Sequence, residues 1–185
     1  MPDPSPTVFL DRDGTLNREK HYLSDPNDLE LLPHIEKLSK LSDAGFQLIV
    51  VTNQSPIGRG IFTEQRLLEI HQRLDEMLKE QGVTIDGWYY CPHTPDNQCA
   101  CRKPGTGMFQ QADLEHGCDF SASWMIGDKV IDCHAGKAAG TRSILLETGY
   151  GKKEYDRPER EKWVDFYLPG LAETVETIYK HSHVA

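Results

Sequence analysis

The sequence predicts an α/β protein in three layers, with a Rossmann-like parallel sheet covered by helices on both faces. Short apolar runs alternate with segments of helical periodicity along the 185-residue chain. The apolar runs are hydrophobic throughout, which is typical of parallel strands buried on both faces. The length suits one domain with its own core, so we predict a single domain over residues 1–185.

Six apolar segments are the candidate strands, and five segments are the candidate helices. The predicted strands are 7–10, 46–51, 87–90, 123–127, 142–147 and 164–168. The predicted helices are 34–44, 64–81, 106–116, 130–139 and 171–181. The gaps between the strands leave no room for a separate cap domain, so we expect substrate selection by the loops 17–32, 54–62 and 91–107.

The segment 64–81 has the clearest helical pattern. Thr63 before it is a typical N-cap, and Gly82 after it is a typical helix end. Its apolar residues recur at helical spacing. The residues predicted to share its buried face are Leu67, Leu68, Ile70, Leu74, Met77 and Leu78.

Composition and charge narrow the class of protein. The net charge is −9, with 20 Lys and Arg against 29 Asp and Glu, which argues against nucleic acid as the main partner. No run reaches the ~18 apolar residues of a membrane span, and "MPDPSPT" lacks a signal-peptide pattern. We therefore expect a cytoplasmic protein with no membrane or nucleic-acid partner, acting on a small molecule as a monomer.

The cysteines are grouped in a way that indicates a metal site. There are five, an odd number, and Cys91, Cys99 and Cys101 stand close to His93 in a C-x-H-x5-C-x-C pattern. Three thiolates and one imidazole complete a tetrahedral zinc site with no open position for catalysis. We predict a structural Zn²⁺ that fixes the chain leading into Lys103, and we interpret Cys118 and Cys133 as small buried residues.

Polar segments follow four of the predicted strands. They read "DRDGT", "TNQS", "CPHTPDNQCACRKP" and "GDKVID" in chain order. In open parallel sheets, ligands bind beyond the carboxyl ends of the strands. We therefore expect these four segments to meet at one edge of the sheet and form the functional site.

Asp11 and Asp13 are the candidate catalytic pair. They lie two residues apart at the end of the first strand, so both can face one site. Neighbouring carboxylates resist joint ionisation unless a cation is present or one stays protonated. A division of roles satisfies both conditions: one carboxylate attacks phosphorus and binds Mg²⁺, and the other, protonated, donates to the leaving oxygen.

The remaining strand-end segments supply partners for that chemistry. Asp128 and Asp132 share one helical face; Asp128 is the better direct Mg²⁺ ligand, and Asp132 is expected to orient the water shell or Lys129. Thr52 and Lys103 can bind phosphoryl oxygens, with Asn53 fixing its loop.

These motifs resemble those of the haloacid dehalogenase-type phosphatase superfamily. The match runs over residues 7–132 through "DRDGT", the Thr of "VVTNQ", the Lys of "CRKP" and "GDKVID". The resemblance implies that Asp11 is the nucleophile and Asp13 the general acid and base. It also implies that Mg²⁺ binds to Asp11, the backbone carbonyl of Asp13, and Asp128.

Within the superfamily, "FLDRDGTLN", "VVTNQSPIGRGIFTE", "YYCPHTPD…CACRKPGTGM" and "IGDKVID" look most like the phosphatases that remove the 7-phosphate of heptose bisphosphates for lipopolysaccharide-core precursors. Pro56 departs from the Gly usual in that family, and its ring stiffens the loop. The substrate contacts implied are Asp11, Arg12, Asp13, Glu19, Lys20, His21, Tyr22, Thr52, Asn53, Gln54, Ser55, Arg102, Lys103 and Lys129. The candidates for holding a second, distant phosphate are Arg59, Arg102 and Lys129.

Other functions stay open on the sequence alone. Histidinol-phosphate phosphatases share the cysteine loop, so that loop does not separate the two activities. The 3′-phosphatase domain of polynucleotide kinase-phosphatases resembles "TNQ…IGRG" but lacks the cysteines, and no GxxxxGK[ST] kinase motif occurs here. A catalytically idle, zinc-stapled binding module is an alternative of another class, although such a module needs no acid beside a nucleophile.

Overall fold

A computed structural model describes residues 3–182, so residues 1, 2 and 183–185 of the predicted domain lie outside the described part. Its centre is a six-stranded parallel sheet in the order β3-β2-β1-β4-β5-β6. All six predicted strands are confirmed, with ends that move by one or two residues. The strands are β1 (Thr7–Leu10), β2 (Gln47–Asn53), β3 (Gly87–Cys91), β4 (Trp124–Gly127), β5 (Arg142–Leu146) and β6 (Phe166–Leu168).

The five predicted helices are also confirmed, although residues 34–44 form a 3-10 turn at Ile35–Leu38 followed by a short α-helix. Three further helices have four residues each, which is too short to show a 3.6-residue period in the sequence. The helices are α1 (Ser39–Asp43), α2 (Ser55–Gly58), α3 (Glu64–Glu80), α4 (Gly107–His116), α5 (Val130–Ala139), α6 (Gly151–Glu154), α7 (Arg160–Trp163) and α8 (Leu171–His181).

The sheet separates two hydrophobic layers, as predicted. Because side chains alternate along a strand, Val8 and Leu10 of β1 pack on one side, with residues of α3 and α8. Phe9, between them in the sequence, packs on the other side against Phe109 of α4 and near Ala135 of α5. The three-layer α/β architecture is therefore confirmed.

Helix α3 agrees with the sequence prediction except at one residue of its buried face. Thr63 caps it, since its hydroxyl accepts a hydrogen bond from the Arg66 amide at 3.2 Å. Leu68, however, is 46% exposed and does not belong to the buried face. His71 is buried on that face and lies beside the ring of Trp88. Leu67 and Leu68 differ by about 100° around a helix, so a narrow apolar stripe cannot hold both.

The connections between strands stay short where a cap domain would be inserted. Between β1 and β2 the chain forms only 3-10 turns and α1, and between β2 and β3 it forms α2 and α3. Neither connection of the described chain holds a second folded unit. Across residues 3–182, no helix combines the length and apolar character that a membrane span requires.

Candidate active site

The four polar strand ends converge on one cavity, as the sequence predicted. The chain builds β1, β2 and β3 in one direction across the sheet and then returns to place β4 on the other side of β1. A ligand crevice is expected where the strand order reverses in this way. A cavity of about 350 Å³ lies there. Its lining is Asp11, Arg12, Asp13, Glu19, His21, Tyr22, Thr52, Asn53, Gln54, Ser55, Pro56, Arg102, Lys103, Lys129, Ile131, Asp132 and Tyr150.

The cavity contains every predicted substrate contact except Lys20. The Lys20 ammonium pairs with Glu30 at 2.6 Å and borders an adjacent cavity. Arg59 is exposed and does not line this cavity. Of the three cations predicted to hold a distant phosphate, Arg102 and Lys129 line it. The sequence reasoning missed Ile131 and Tyr150.

Lys103 and Asp11 form a buried ion pair at the end of β1. The Lys103 ammonium donates to Asp11 Oδ1 and to the Val51 carbonyl, each at 2.8 Å, and its side chain is 1% exposed. Burial alone would lower the pKa of Lys103, but Asp11 and Asp132 outweigh it and raise the pKa. Lys103 is therefore charged, as its predicted role in phosphoryl binding requires.

Asp132 contacts both Lys103 and Lys129. Its Oδ1 lies 2.6 Å from the Lys103 ammonium, and its Oδ2 accepts the backbone N–H of Lys129. It was expected to orient a metal's water shell or Lys129, and its hydrogen bond to the Lys129 backbone agrees with the second of these. The ion pair with Lys103 was not predicted.

Asp13 is clamped by three side chains. Oδ2 accepts from Arg12 Nη2 at 2.6 Å and from Gln54 at 3.1 Å, and Oδ1 accepts from Asn17 at 3.0 Å. Burial would raise the pKa of Asp13, but the charge of Arg12 and these hydrogen bonds lower it below its usual value. Asp13 is therefore ionised at neutral pH, which differs from the protonated form expected from the sequence.

Asp128 lies in a group of carboxylates suited to a divalent cation. Ligand oxygens of Asp11, Asp128 and Asp132 all lie within 4.8 Å of one another. Burial, with Asp11 and Asp132 nearby, raises the pKa of Asp128 to about 8. Its Oδ1 is buried and accepts no hydrogen bond within the described chain. Carboxylate oxygens are the ligands that Mg²⁺ takes, so this arrangement fits a cation bound at Asp11 and Asp128.

Two glycines allow the chain to approach Asp128. Gly14 has a φ of +79°, and a Cβ there would lie 2.3 Å from Asp128 Oδ2. A Cβ on Gly149 would lie 2.1 Å from the same oxygen. Tyr150 donates its backbone N–H to that oxygen at 2.8 Å. The end of β5 is thus a fifth strand end in the site, which the sequence reasoning did not include.

Thr52 and Asn53 are arranged as predicted. The Thr52 hydroxyl accepts from Gln54 at 3.0 Å, which leaves its own hydrogen free to donate into the cavity. Asn53 brackets the backbone of Lys103, accepting its N–H at 3.0 Å and donating to its carbonyl at 3.2 Å. Asn53 therefore fixes the position from which Lys103 enters the site.

The cysteine loop brings the four predicted zinc ligands together. Sγ of Cys101 lies 3.2 Å from Sγ of Cys91, 3.4 Å from Sγ of Cys99 and 3.3 Å from His93 Nδ1. A zinc ion with Zn–S bonds of about 2.3 Å spaces its sulfurs about 3.8 Å apart, so these atoms stand close to that spacing. The four residues can hold a metal ion.

Lys129 and Pro56 complete the rim of the cavity. The Lys129 ammonium lies 3.5 Å from Glu19 Oε2 and 4.6 Å from the centre of the Tyr150 ring. Pro56 occupies the first turn of α2, a position where its missing N–H costs no helical hydrogen bond. The departure at Pro56 is therefore compatible with the local backbone.

Comparisons with known proteins agree on one kind of relative. The HAD-hydrolase-like family model matches residues 100–174. D-glycero-beta-D-manno-heptose-1,7-bisphosphate 7-phosphatase of Haemophilus ducreyi is 42% identical over 177 residues, which covers 91% of this chain and 95% of that protein. The same enzyme of Yersinia pestis is 39% identical over 183 residues, covering 94% and 95%.

A solved structure of a relative shares the fold of this chain. The D,D-heptose 1,7-bisphosphate phosphatase of B. bronchiseptica, complexed with magnesium and phosphate, is 30% identical with a TM-score of 0.85. The likeness covers 95% of this chain and 98% of that one.

Proposed function

The chain belongs to the family of D-glycero-β-D-manno-heptose-1,7-bisphosphate 7-phosphatases, and we propose that it removes the 7-phosphate of heptose 1,7-bisphosphate in a Mg²⁺-dependent reaction. The product is heptose 1-phosphate, a precursor for lipopolysaccharide-core sugars. One observation carries the mechanism. The buried pair of Asp11 and Lys103, 2.8 Å apart, stands beside the clamped carboxylate of Asp13 at the floor of a single cavity.

In the first half of the reaction, a carboxylate oxygen of Asp11 attacks phosphorus and forms an aspartyl phosphate. The bond from phosphorus to the C7 ester oxygen breaks, and Asp13 gives its proton to that oxygen. Asp13 is ionised in the free protein, so it takes up this proton as the phosphate arrives, because the adjacent anion favours the neutral acid.

In the second half, water attacks the phosphorus of the aspartyl phosphate. Asp13, now a carboxylate, accepts a proton from that water, the acyl phosphate bond breaks, and Asp11 is regenerated. Inorganic phosphate leaves. The Arg12 charge that lowers the pKa of Asp13 favours this base form.

Lys103 and Thr52 bind the phosphoryl oxygens in both steps, since each directs a donor toward Asp11 or the cavity. We assign Mg²⁺ to Asp11, Asp128 and the backbone carbonyl of Asp13; when bound, it neutralises charge on the phosphoryl group. Asp128 Oδ1 supports this assignment, because it is buried and accepts no hydrogen bond in the described chain, although the Lys129 ammonium lies 3.5 Å away.

Zn²⁺ is assigned a structural role at Cys91, His93, Cys99 and Cys101. The backbone leaves the last ligand and enters Arg102 and Lys103 at once. Arg102 Nη1 also donates to the His93 carbonyl at 3.0 Å. A closed metal site here would fix both cations without taking part in the chemistry.

We propose that the enzyme acts as a monomer formed by one domain. The five cysteines are free in the described chain, and thiols persist in the reducing cytosol. We therefore propose a cytoplasmic location, with a phosphorylated sugar as partner and neither nucleic acid nor membrane.

Steady-state kinetics on a panel of phosphate esters tests the substrate assignment. The panel holds heptose 1,7-bisphosphate, fructose 1,6-bisphosphate, histidinol phosphate and a 3′-phosphorylated oligonucleotide, each with Mg²⁺. We expect kcat/KM for the heptose to exceed that for histidinol phosphate by at least ~100-fold. A preference for histidinol phosphate would overturn the substrate while leaving the chemistry; no phosphate release from any ester would favour the idle binding module.

A further inference from the structure

We propose that Arg12 is a positioning residue for Asp13 and makes no contact with substrate. Its side chain is 1% exposed, and Nη2 lies 2.6 Å from Asp13 Oδ2. Within residues 3–182, Asp13 is the one carboxylate that pairs with Arg12. This differs from the substrate-binding role that the family resemblance implied for Arg12.

The guanidinium of Arg12 directs one of its donors, Nη2, to Asp13 Oδ2. Its Nε and Nη1 are buried and have no hydrogen-bond partner in the described chain. A guanidinium that met a phosphate would present these donors to the cavity, where two parallel hydrogen bonds could form. Neither atom is exposed to solvent in the described chain.

The surroundings of Arg12 leave Asp13 as its counter-charge. His71 of α3 is near enough for Arg12 to affect its protonation, and burial together with Arg12 lowers the pKa of His71 to about 3. His71 is therefore neutral at physiological pH. A buried charge is costly unless it is paired. The folded protein therefore needs Asp13 as the partner of the buried Arg12 guanidinium.

The contacts of Asp13 show what this pairing achieves. Oδ2 accepts from both Arg12 and Gln54, while Oδ1 accepts from Asn17 alone. The charged donor makes the shortest of these bonds, as charge-assisted bonds do. Arg12 thus fixes the carboxylate plane and leaves Oδ1 with acceptor capacity for the reacting group.

The inference rests on the proposed function, because it requires Asp13 to protonate the leaving oxygen. If so, losing Arg12 should matter most for a poor leaving group. A sugar ester needs a proton on the departing oxygen, whereas p-nitrophenolate leaves without one. A general structural defect would slow both substrates alike.

The test measures kcat for heptose 1,7-bisphosphate and for p-nitrophenyl phosphate in Arg12→Gln, Arg12→Lys, Asp13→Asn and the Arg12→Gln/Asp13→Asn double variant. Arg73→Gln is the matched control, because Arg73 pairs only with Glu76 on the surface of α3. We expect Arg12→Gln to lose about 100-fold on the sugar ester and less than about 5-fold on p-nitrophenyl phosphate. Arg12→Lys should recover part of that loss, since it keeps the charge without the planar fork.

The double variant separates positioning from general support. If Arg12 acts through Asp13, adding Arg12→Gln to Asp13→Asn should change kcat by less than about 3-fold. If the kcat loss of the double variant equals the product of the two single losses, the inference is overturned. Equal kcat losses of Arg12→Gln on the two substrates would also overturn it. Should Arg12→Gln fail to fold, the ratio between the two substrates in Arg12→Lys decides the question in the same way.

The same data separate this inference from the proposed function. Wild-type protein that hydrolyses neither substrate would overturn both. Wild-type protein that hydrolyses p-nitrophenyl phosphate but prefers another alkyl phosphate would overturn the heptose assignment. In that case the preferred alkyl phosphate takes the place of the heptose in the test of Arg12. A kcat loss in the Arg12 variants that is larger on the alkyl phosphate than on p-nitrophenyl phosphate supports the inference, and equal losses overturn it.

Discussion

Asp132 holds the ammonium of Lys103, with Oδ1 2.6 Å from Nζ and both side chains almost fully buried. Asp11 binds the same ammonium from the other side at 2.8 Å. Lys103, for which we propose phosphoryl binding, therefore lies between Asp11, the proposed nucleophile, and a carboxylate from α5. We expect Asp132 to affect the reaction through the position of Lys103.

Asp132→Asn should misplace Lys103 and destabilise the fold. We expect kcat/KM to fall by about 10²-fold and the free energy of unfolding to fall by about 3 kcal/mol, because a buried ammonium loses one of its counter-charges. Kinetics and urea unfolding measure the two effects. Asp75→Asn is the matched control, since Asp75 pairs with exposed Lys79 at 2.7 Å; wild-type kcat/KM in Asp132→Asn would refute the role.

Asp11→Asn should abolish turnover without unfolding the protein, because an amide oxygen does not attack phosphorus. We expect kcat below about 10⁻³ of wild type. The protein should stay folded, since Asp132 still pairs with Lys103 and Asn can accept the Lys103 hydrogen bond, but the thermal midpoint should fall because Lys103 loses one of its two counter-charges. Hydrolysis within tenfold of wild type would remove Asp11 from the nucleophile role.

Gly14→Ala should impair the cation site, because a Cβ at a φ of +79° would lie 2.3 Å from Asp128 Oδ2. We expect weaker activation by Mg²⁺ and a lower kcat, read from a magnesium titration of phosphate release. Gly82→Ala is the control, since it has a similar φ of +75° and nothing within 4 Å of its added Cβ. Both variants should lose stability, but only Gly14→Ala should lose magnesium activation.

Zinc analysis of purified, reduced protein should find about one equivalent per chain. Cys99→Ala should remove it, lower the thermal midpoint by at least about 5 °C and reduce kcat by misplacing Lys103. Cys118→Ala is the matched control, because Cys118 lies outside the four-residue set. Protein that contains no zinc as isolated would contradict the assignment.

Much of the fold and site was predictable because the motifs lie directly at strand ends. A wholly apolar strand followed by polar residues locates Asp11, Thr52 and Asp128 without knowledge of the strand order. The cysteine loop was predictable because its four ligands are close in sequence.

The missed features depend on distances that the sequence does not encode locally. Tyr150 reaches Asp128 because β5 pairs with β4, and a single aromatic residue after a strand has no pattern of its own. The turn of Asp132 toward Lys103 depends on where the cysteine loop places that lysine. Sequence spacing suggested that Asp128 and Asp132 share a helical face, but α5 begins at Val130 with Lys129 as its N-cap, so Asp128 precedes the helix. The spacing also did not indicate what faces Asp132.

His71 should make stability depend on pH. Burial first, and then the charge of Arg12, lowers its pKa from 6.5 to about 3, so the folded protein resists protonation that the unfolded chain accepts. The contribution of neutral His71 is present above pH 6.5 and is lost progressively as pH falls toward 3. At pH 5 the loss of unfolding free energy is about 2 kcal/mol relative to neutral pH.

His71→Leu should remove this part of the acid sensitivity. In urea unfolding, the fall in the free energy of unfolding between pH 7.5 and pH 5.0 should be smaller for His71→Leu than for wild type by that amount. Leu67→Ala, a buried change on the same helix without a titrating group, should destabilise equally at both pH values. The same drop in His71→Leu as in wild type would show that His71 does not titrate on unfolding as described.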